Sequence, residues 1–253
     1  MSTWSADDGS ELYFEMYGGR ESEKPVLLLL PGLLGTISSQ WRNFVKPLSA
    51  DFRIVLMDLR GHGRSQNKGN FLTAGRMLGD VIGLLDYLQM PEVNVAGYSL
   101  GGYVGLMMSV AYPRRIHTLL MHASKFYWTA EAVKSFQAQL DPEVMAEKVP
   151  AYANQLVQEH GARQWRELVR QASMLVAELA QSGLKEKQLG NIHCPVLVSV
   201  GERDELVLLP EAQRLSRLLP KGELIVLPGV HHPYATLRQI PLLPMMQHFH
   251  KEG

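Results

Sequence analysis

The stretch from Val93 to Gly102 reads V-N-V-A-G-Y-S-L-G-G, and it organises the rest of the chain. Its apolar run, glycine-flanked serine and helix-forming continuation predict a strand, a sharp turn and a helix. Such a turn pushes its central residue towards positive φ and tolerates only very small neighbours, a requirement that Gly97 and Gly101 meet around Ser99. The pattern G-x-S-x-G exposes a serine hydroxyl at the positive end of a helix. An ordinary glycine-rich turn fits the same five residues, so the other motifs must decide.

The composition excludes several classes of protein. The chain has 253 residues, of which 46% are hydrophobic and 20% charged, so we expect one globular domain with a large core. Its 25 basic residues balance its 25 acidic residues, so no global field favours nucleic acid or an anionic membrane surface. We therefore expect a small-molecule substrate as the partner, and neither nucleic acid nor a membrane.

The lack of a recognisable targeting signal and the single cysteine predict a cytoplasmic protein. Cys194 is the single cysteine, which excludes an internal disulfide and a thiolate metal cluster. The N-terminal residues lack the basic region and apolar core of a secretory signal, and no apolar run approaches the length of a membrane span. The oligomeric state has no signature in the sequence.

Strand-like and helix-like segments alternate along most of the chain. Pro25–Leu30 and Ile54–Met57 are apolar on both faces, as in central parallel strands, whereas Leu12–Tyr17 alternates as in an antiparallel edge hairpin. Further strands are predicted at 93–98, 116–121, 196–200 and 224–227, and helices at 41–48, 72–88, 100–112, 211–219 and 242–249. This order predicts an α/β fold with a mostly parallel central sheet and helices on both faces.

Residues 128–190 interrupt the alternation. They are rich in Ala, Gln, Glu and Leu without a strand-like run, which predicts several helices, for example Val144–Val157 and Trp165–Gln181. Helices inserted between two strands must lie over one end of the sheet. We therefore interpret 128–190 as a cap, with 1–127 and 191–253 as the core.

The position of this cap leaves an alternative open. It could be a helical bulge remote from the serine. Trp128, His160 and Trp165 would line a substrate pocket if the cap covers the serine, but packing between cap helices is an equally good interpretation.

Two later loops carry the groups that a serine nucleophile requires. A serine hydroxyl reacts when a base takes its proton and a third group orients that base, and in a parallel sheet such partners lie at the carboxyl ends of strands. The strand Val196–Val200 runs into G-E-R-D, which places Asp204 just beyond its end. The strand Leu224–Leu227 runs into P-G-V-H-H-P, which offers His231 and His232. The chain order is therefore serine, aspartate, histidine.

Together these motifs resemble the α/β-hydrolase family in a form with a short helical cap. Pro31–Gly35 (P-G-L-L-G) is similar to the family's H-G-x-x-G loop, and Asp58–Ser65 (D-L-R-G-H-G-R-S) resembles its D-x-R-G-x-G-x-S turn. The resemblance spans nearly the whole chain and implies an oxyanion hole formed by the backbone N–H groups of Leu33 and Leu100. Pro31 departs from the family's usual histidine, so the hydrogen bonds that hold this loop must differ.

The family patterns do not agree on the base. Counting from the P-G dipeptide at 228–229 against P-G-x-G-H selects His232, whereas the usual H-x-P spacing selects His231. We favour His232, because its spacing to Phe249 on the terminal helix also fits.

Other motifs predict structural roles. His62, between two glycines, is expected to hold the turn in which it lies. His248 and His250 fall on different faces of the terminal helix, so we expect no metal site. The glycines that follow Gly97 do not form a dinucleotide fingerprint, and no cofactor is expected.

The leading hypothesis is a serine hydrolase that cleaves a small, largely apolar ester or related acyl compound. Ser99 would attack the carbonyl, His232 would transfer the proton, Asp204 would orient His232, and water would release the acyl-enzyme. Serine at this position argues against the dehalogenases and epoxide hydrolases that the resemblance associates with aspartate. Two alternatives remain: a lyase or carbon–carbon bond hydrolase with the same triad, and a non-catalytic binding protein of the fold.

Overall fold

A computed structural model describes residues 2–19 and 23–253, and within them eight strands form one sheet. The strands are β1 Ser2–Ser5, β2 Glu11–Tyr17, β3 Val26–Leu30, β4 Arg53–Met57, β5 Val93–Tyr98, β6 Ile116–His122, β7 Val196–Gly201 and β8 Gly222–Leu227. Their spatial order is β1-β2-β4-β3-β5-β6-β7-β8. β2 pairs antiparallel with β1 and β4, and the remaining pairs are parallel. The predicted mostly parallel α/β sheet is confirmed.

Helices cover both faces of this sheet. In chain order the α-helices of the described residues are α1 Arg42–Leu48, α2 Ala74–Tyr87, α3 Leu100–Ala111, α4 Ala130–Gln139, α5 Pro142–Lys148, α6 Pro150–His160, α7 Gln164–Ser182, α8 Glu186–Leu189, α9 Leu209–Leu218 and α10 Gln239–Glu252. None of the helices in the described ranges combines the length and the apolar character that crossing a membrane requires.

The leucine run of β3 explains why the sheet must be covered on both sides. Leu28 and Leu30 are fully buried in the cluster that contains side chains of α2, α3 and α9. Leu27 and Leu29 point to the opposite face and are buried with side chains of α1 and α10. Successive side chains of a strand alternate between faces, so a continuous apolar run requires two layers of helices.

Helices α4 to α8 occupy the interval between β6 and β7, and one of the predicted boundaries there is wrong. The single helix expected over Val144–Val157 is divided into α5 and α6 at Val149, which has φ −134° and ψ 59°. Pro150 explains the division, because proline disfavours helical backbone in the residue before it and lacks an N–H for the helical ladder. Pro150 then serves as the first residue of α6, where no intrahelical donor is needed.

Candidate active site

Ser99 stands at the turn between β5 and α3 with φ 50° and ψ −113°, a strained backbone conformation. The neighbouring glycines make this turn possible. A Cβ atom on Gly97 would lie 2.2 Å from the backbone nitrogen of Gly102, and one on Gly101 would lie 2.3 Å from the carbonyl oxygen of Leu30. Ser99 is the N-cap of α3, so its hydroxyl lies at the positive end of a twelve-residue helix.

Asp204 and His232 lie in hydrogen-bond contact on the loops that follow β7 and β8. His232 Nδ1 is 3.1 Å from each carboxylate oxygen of Asp204. The Asp204 side chain is fully buried, and its Oδ1 also accepts the backbone N–H groups of Leu206 at 2.9 Å and Val207 at 2.7 Å. A carboxylate held in this way fixes the proton on Nδ1 and leaves Nε2 of the imidazole as the basic nitrogen.

His231 pairs with a different carboxylate. Its Nδ1 forms a short contact with Glu205, and its side chain is 39% exposed, against 18% for His232. The second oxygen of Glu205 accepts the backbone N–H of His232 at 3.3 Å. The two adjacent histidines therefore bind two adjacent acids, and His231 is the one on the solvent side.

Tyr98, for which the sequence carried no signal, connects the histidine loop to the serine turn. Its hydroxyl donates a short hydrogen bond to the backbone carbonyl of His232, and the two rings lie 5.9 Å apart between centroids. Burial raises the pKa of Tyr98 above the ordinary value for a phenol, so the hydroxyl keeps the proton that it donates. Because Tyr98 immediately precedes Ser99, this bond ties His232 to the strand that presents the serine.

Leu33 and Leu100 line the same small cavity as Ser99. Within the described residues neither of the backbone N–H groups of Leu33 and Leu100 donates to a protein acceptor. The loop that carries Leu33 is held by Gln40, whose Oε1 accepts the backbone N–H of Gly32 at 2.7 Å. The sequence did not identify Gln40.

The end of α6, in the segment between β6 and β7, forms hydrogen bonds with the loop that carries Leu33. His160 Nδ1 accepts the backbone N–H of Gly63 at 2.8 Å, so its proton lies on Nε2, which donates to the carbonyl of Leu34 at 3.0 Å. Leu34 itself has a positive φ of 60°. Glu159 accepts a hydrogen bond from the Thr36 hydroxyl at 3.1 Å. His160 therefore binds the loop of Leu34 and is not among the residues that line the cavity, and burial lowers its pKa so that it stays neutral.

The turn that follows β4 also forms hydrogen bonds next to this loop. The buried carboxylate of Asp58 accepts the backbone N–H of Ile37 at 2.8 Å and of Arg64 at 3.1 Å. His62 is completely buried, its Nδ1 donates to the carbonyl of Arg60 at 2.9 Å, and burial lowers its pKa to about 3. It does not line the cavity beside Ser99.

The cavity beside Ser99 has a volume of about 30 Å³. Trp128, Phe136, Val176 and Leu179 contribute to its lining, and all four come from the segment between β6 and β7. Trp165 is buried in α7 and is not part of this lining. A larger groove of about 540 Å³ lies where β7 and β8 begin, and it contains neither Ser99, Asp204 nor His232. In the described part of the chain no cluster of histidine, cysteine and acidic side chains is placed to hold a metal ion.

Comparisons with known proteins agree with this architecture. A family model described as the alpha/beta hydrolase fold matches residues 25–164. The chain is 30% identical to the pimeloyl-[acyl-carrier protein] methyl ester esterase of Edwardsiella ictaluri, over 81% of this chain and 85% of that protein. It is 27% identical to the human serine hydrolase BPHL, over 90% of this chain and 78% of that protein. A solved hydrolase structure from Pseudomonas aeruginosa PA01 superposes with a TM-score of 0.79 at 24% identity, covering 98% and 97% of the two chains.

Proposed function

The chain belongs to the α/β-hydrolase fold family, and from that premise we propose that it is a serine hydrolase of small, largely apolar esters or related acyl compounds. The observation that carries the proposal is the orientation of His232. With Nδ1 3.1 Å from both oxygens of Asp204, its Nε2 is the nitrogen left to take a proton from Ser99. The relatives named above are a methyl ester esterase and a serine hydrolase, which supports the same reaction class.

The proposed reaction has two half-reactions. Ser99 Oγ attacks the carbonyl carbon while its proton passes to His232 Nε2, and the carboxylate of Asp204 stabilises the imidazolium that forms. The carbonyl oxygen becomes an oxyanion that accepts hydrogen bonds from the Leu33 and Leu100 amides. The alcohol leaves with the proton from His232, and water, deprotonated by the same imidazole, then attacks the acyl-enzyme and releases the acid.

The oxyanion amides are expected to account for much of the acceleration. They bind most strongly when the charge has developed, and losing one such donor typically reduces kcat by about 10²–10³-fold. The amide of Leu100 is available for this role, because residue 100 begins α3 and its N–H has no intrahelical acceptor.

The cavity indicates which acyl groups fit. Its volume of about 30 Å³ is only about two to three times the smallest volume that holds one water molecule, and much of its lining is apolar, including Phe136, Val176 and Leu179. We therefore expect short acyl groups to react faster than long ones. Product analysis in isotopically labelled water separates hydrolysis from elimination by the same triad, since only hydrolysis places solvent oxygen in the acid.

A fluorophosphonate probe tests the proposal directly. We expect it to label the protein at Ser99, as mapped by peptide mass spectrometry, because the probe reacts with activated serines. Ser99→Ala should abolish labelling and reduce kcat for a p-nitrophenyl ester by about 10⁴-fold or more. Ser38→Ala, a matched change at an exposed serine, should leave the labelling of Ser99 intact. Absence of label on the wild-type protein, or label on another serine, would overturn the proposal.

A further inference from the structure

Two acids stand next to each other in the loop after β7, and the proposed mechanism uses only the first. Asp204 is buried and contacts the His232 ring, whereas the side chain of Glu205 is 62% exposed. One carboxylate oxygen of Glu205 accepts the backbone N–H of His232 at 3.3 Å, and the other forms a short contact with His231 Nδ1. Glu205 therefore contacts the backbone of His232, while Asp204 contacts its ring.

With this bond, the polar groups of His232 other than Nε2 each have a separate partner. The backbone N–H binds Glu205, the backbone carbonyl accepts a hydrogen bond from Tyr98, and Nδ1 contacts Asp204. These partners come from the end of β5 and from the loop after β7. The peptide groups on both sides of the His232 Cα atom are thereby held, so the point from which its side chain starts is held as well.

The turn that contains Glu205 is itself closed by hydrogen bonds. Asp204 Oδ1 accepts the backbone N–H groups of Leu206 and Val207, the two residues that follow Glu205. The hydrogen bond with His231 is the main cause that lowers the pKa of Glu205, so its carboxylate is ionised at neutral pH. An ionised acceptor forms stronger hydrogen bonds than a neutral one, which favours the bond to the His232 backbone.

A second acid of the same loop provides a natural comparison. Residues 228–233 follow β8 without forming a helix or a strand, so bonds to neighbouring loops help to fix them. Glu202 accepts the backbone N–H of Gly229 at 2.9 Å, and this bond joins the same two loops as the bond between Glu205 and His232. Both acids are exposed. They differ in the peptide group that they hold.

We propose that Glu205 is a positioning residue: its carboxylate holds the backbone of His232 so that Nε2 points towards Ser99. His231 contributes by holding the second oxygen of that carboxylate. This inference rests on the proposed serine hydrolase function. A displacement of about 1 Å between reacting groups can lower a rate by about 10²-fold. The bond with Glu205 is one of three that restrain His232, so we expect its loss to have a smaller effect, seen mainly in kcat.

Two variants and one control test the proposal by steady-state kinetics on p-nitrophenyl butyrate. Glu205→Ala removes both contacts of the carboxylate and should lower kcat about five- to tenfold with KM within about twofold of wild type, because the bond restrains the base and not the substrate. Glu205→Gln keeps an oxygen that can accept the His232 N–H and should recover about half of the wild-type kcat or more. Glu202→Ala removes the other bond between the same loops and should leave kcat within about twofold of wild type.

A double variant tests whether His231 acts through Glu205. His231→Ala removes the partner of the second carboxylate oxygen, so its loss of kcat should be smaller than that of Glu205→Ala. In the Glu205→Ala background that partner has nothing left to hold, and adding His231→Ala should lower kcat no further. Losses that multiply in the double variant would show that His231 acts independently, and this part of the proposal would be wrong.

The rate of fluorophosphonate labelling separates this inference from the proposed function. Labelling reports how well the base activates Ser99 and involves no deacylation, so its rate constant should fall in Glu205→Ala by about the same factor as kcat. Wild-type rates in Glu205→Ala, equal losses in Glu205→Ala and Glu202→Ala, or no recovery in Glu205→Gln would overturn the positioning role while leaving the hydrolase intact. If the wild-type protein is not labelled at Ser99 and does not hydrolyse the ester, the proposed function itself fails.

Discussion

The loops around Ser99 are held in two different ways. The loops that carry Asp204 and His232 are fixed by contacts outside the segment between β6 and β7. Backbone amides of the loop after β7 bind the Asp204 carboxylate, and the Tyr98 hydroxyl binds the His232 carbonyl. The loop that carries Leu33 is held by Gln40 and, in addition, by α6, where His160 donates to the carbonyl of the next residue, Leu34. In the described part of the chain the hydrogen bonds that fix Asp204 and His232 therefore come from outside the helices between β6 and β7, whereas the loop of Leu33 also uses those helices.

Because of this difference, we expect changes in the two groups of loops to affect different steps of the proposed reaction. Changes in the core loops should affect proton transfer, and changes in α6 should affect how well the oxyanion is bound in the transition state. The second kind of change is expected to alter kcat more than KM, since interactions that form only in the transition state contribute little to ground-state binding.

The largest expected effect separates the adjacent histidines. His232→Ala should reduce kcat by about 10⁴-fold or more, because it removes the base that Asp204 orients. His231→Ala is the matched control: its ring contacts the exposed carboxylate of Glu205 and not Asp204, so we expect less than a roughly tenfold loss. Steady-state kinetics on p-nitrophenyl butyrate measures both. A severe loss in His231→Ala with an active His232→Ala would exchange the two roles.

Sequence reasoning was most successful where the signals are local or follow from strand order. The leucines of β3 predicted a buried parallel strand, and loops that follow successive strands of a parallel sheet meet at one edge, which is where Asp204 and His232 are found in contact. The bond between His160 and Leu34 joins residues 126 positions apart, and no periodicity or motif encodes such a contact.

Some of the missed features had a signal and others had none. Pro150 marks the break between α5 and α6, and its presence in the sequence was sufficient to predict it. Gln40 and Tyr98 had no such mark, because a glutamine that binds a backbone amide and a tyrosine that binds a carbonyl look like any others until the chain is folded.

An intermediate effect is expected at His160. His160→Ala removes the donor to the Leu34 carbonyl and the acceptor for Gly63, so the loop that carries Leu33 keeps only the bond between Glu159 and Thr36 as support from α6 among the hydrogen bonds described above. We expect kcat to fall by about 10–100-fold with little change in KM, which is less than the loss of a whole oxyanion donor. His160→Gln, which keeps an amide donor, should restore part of the loss.

A second buried histidine provides the control for general destabilisation. His250, on α10, is 2% exposed and binds the Thr118 hydroxyl far from the oxyanion loop. His250→Ala should lower stability in urea by an amount comparable to His160→Ala while kcat stays within about twofold of wild type. Equal losses of kcat in the two variants would mean that His160 acts only through stability. The contrast between the loop of Leu33 and the loops of Asp204 and His232 would then be wrong.

The smallest expected effect is on stability as a function of pH. Burial lowers the pKa of His160 below its ordinary value of 6.5, so between those two pKa values the unfolded chain binds a proton that the folded protein excludes. The unfolded state therefore gains stability relative to the folded state as the pH falls below about 6.5, by at most about 1.4 kcal/mol per pH unit for this one histidine. His160→Gln has no proton to bind at that position. We would measure the free energy of unfolding of wild type and His160→Gln in urea at pH 8 and at pH 5. The difference between the two proteins should shift in favour of the variant at the lower pH. A difference that stays constant would show that the bond between α6 and the loop of Leu33 does not depend on a neutral imidazole.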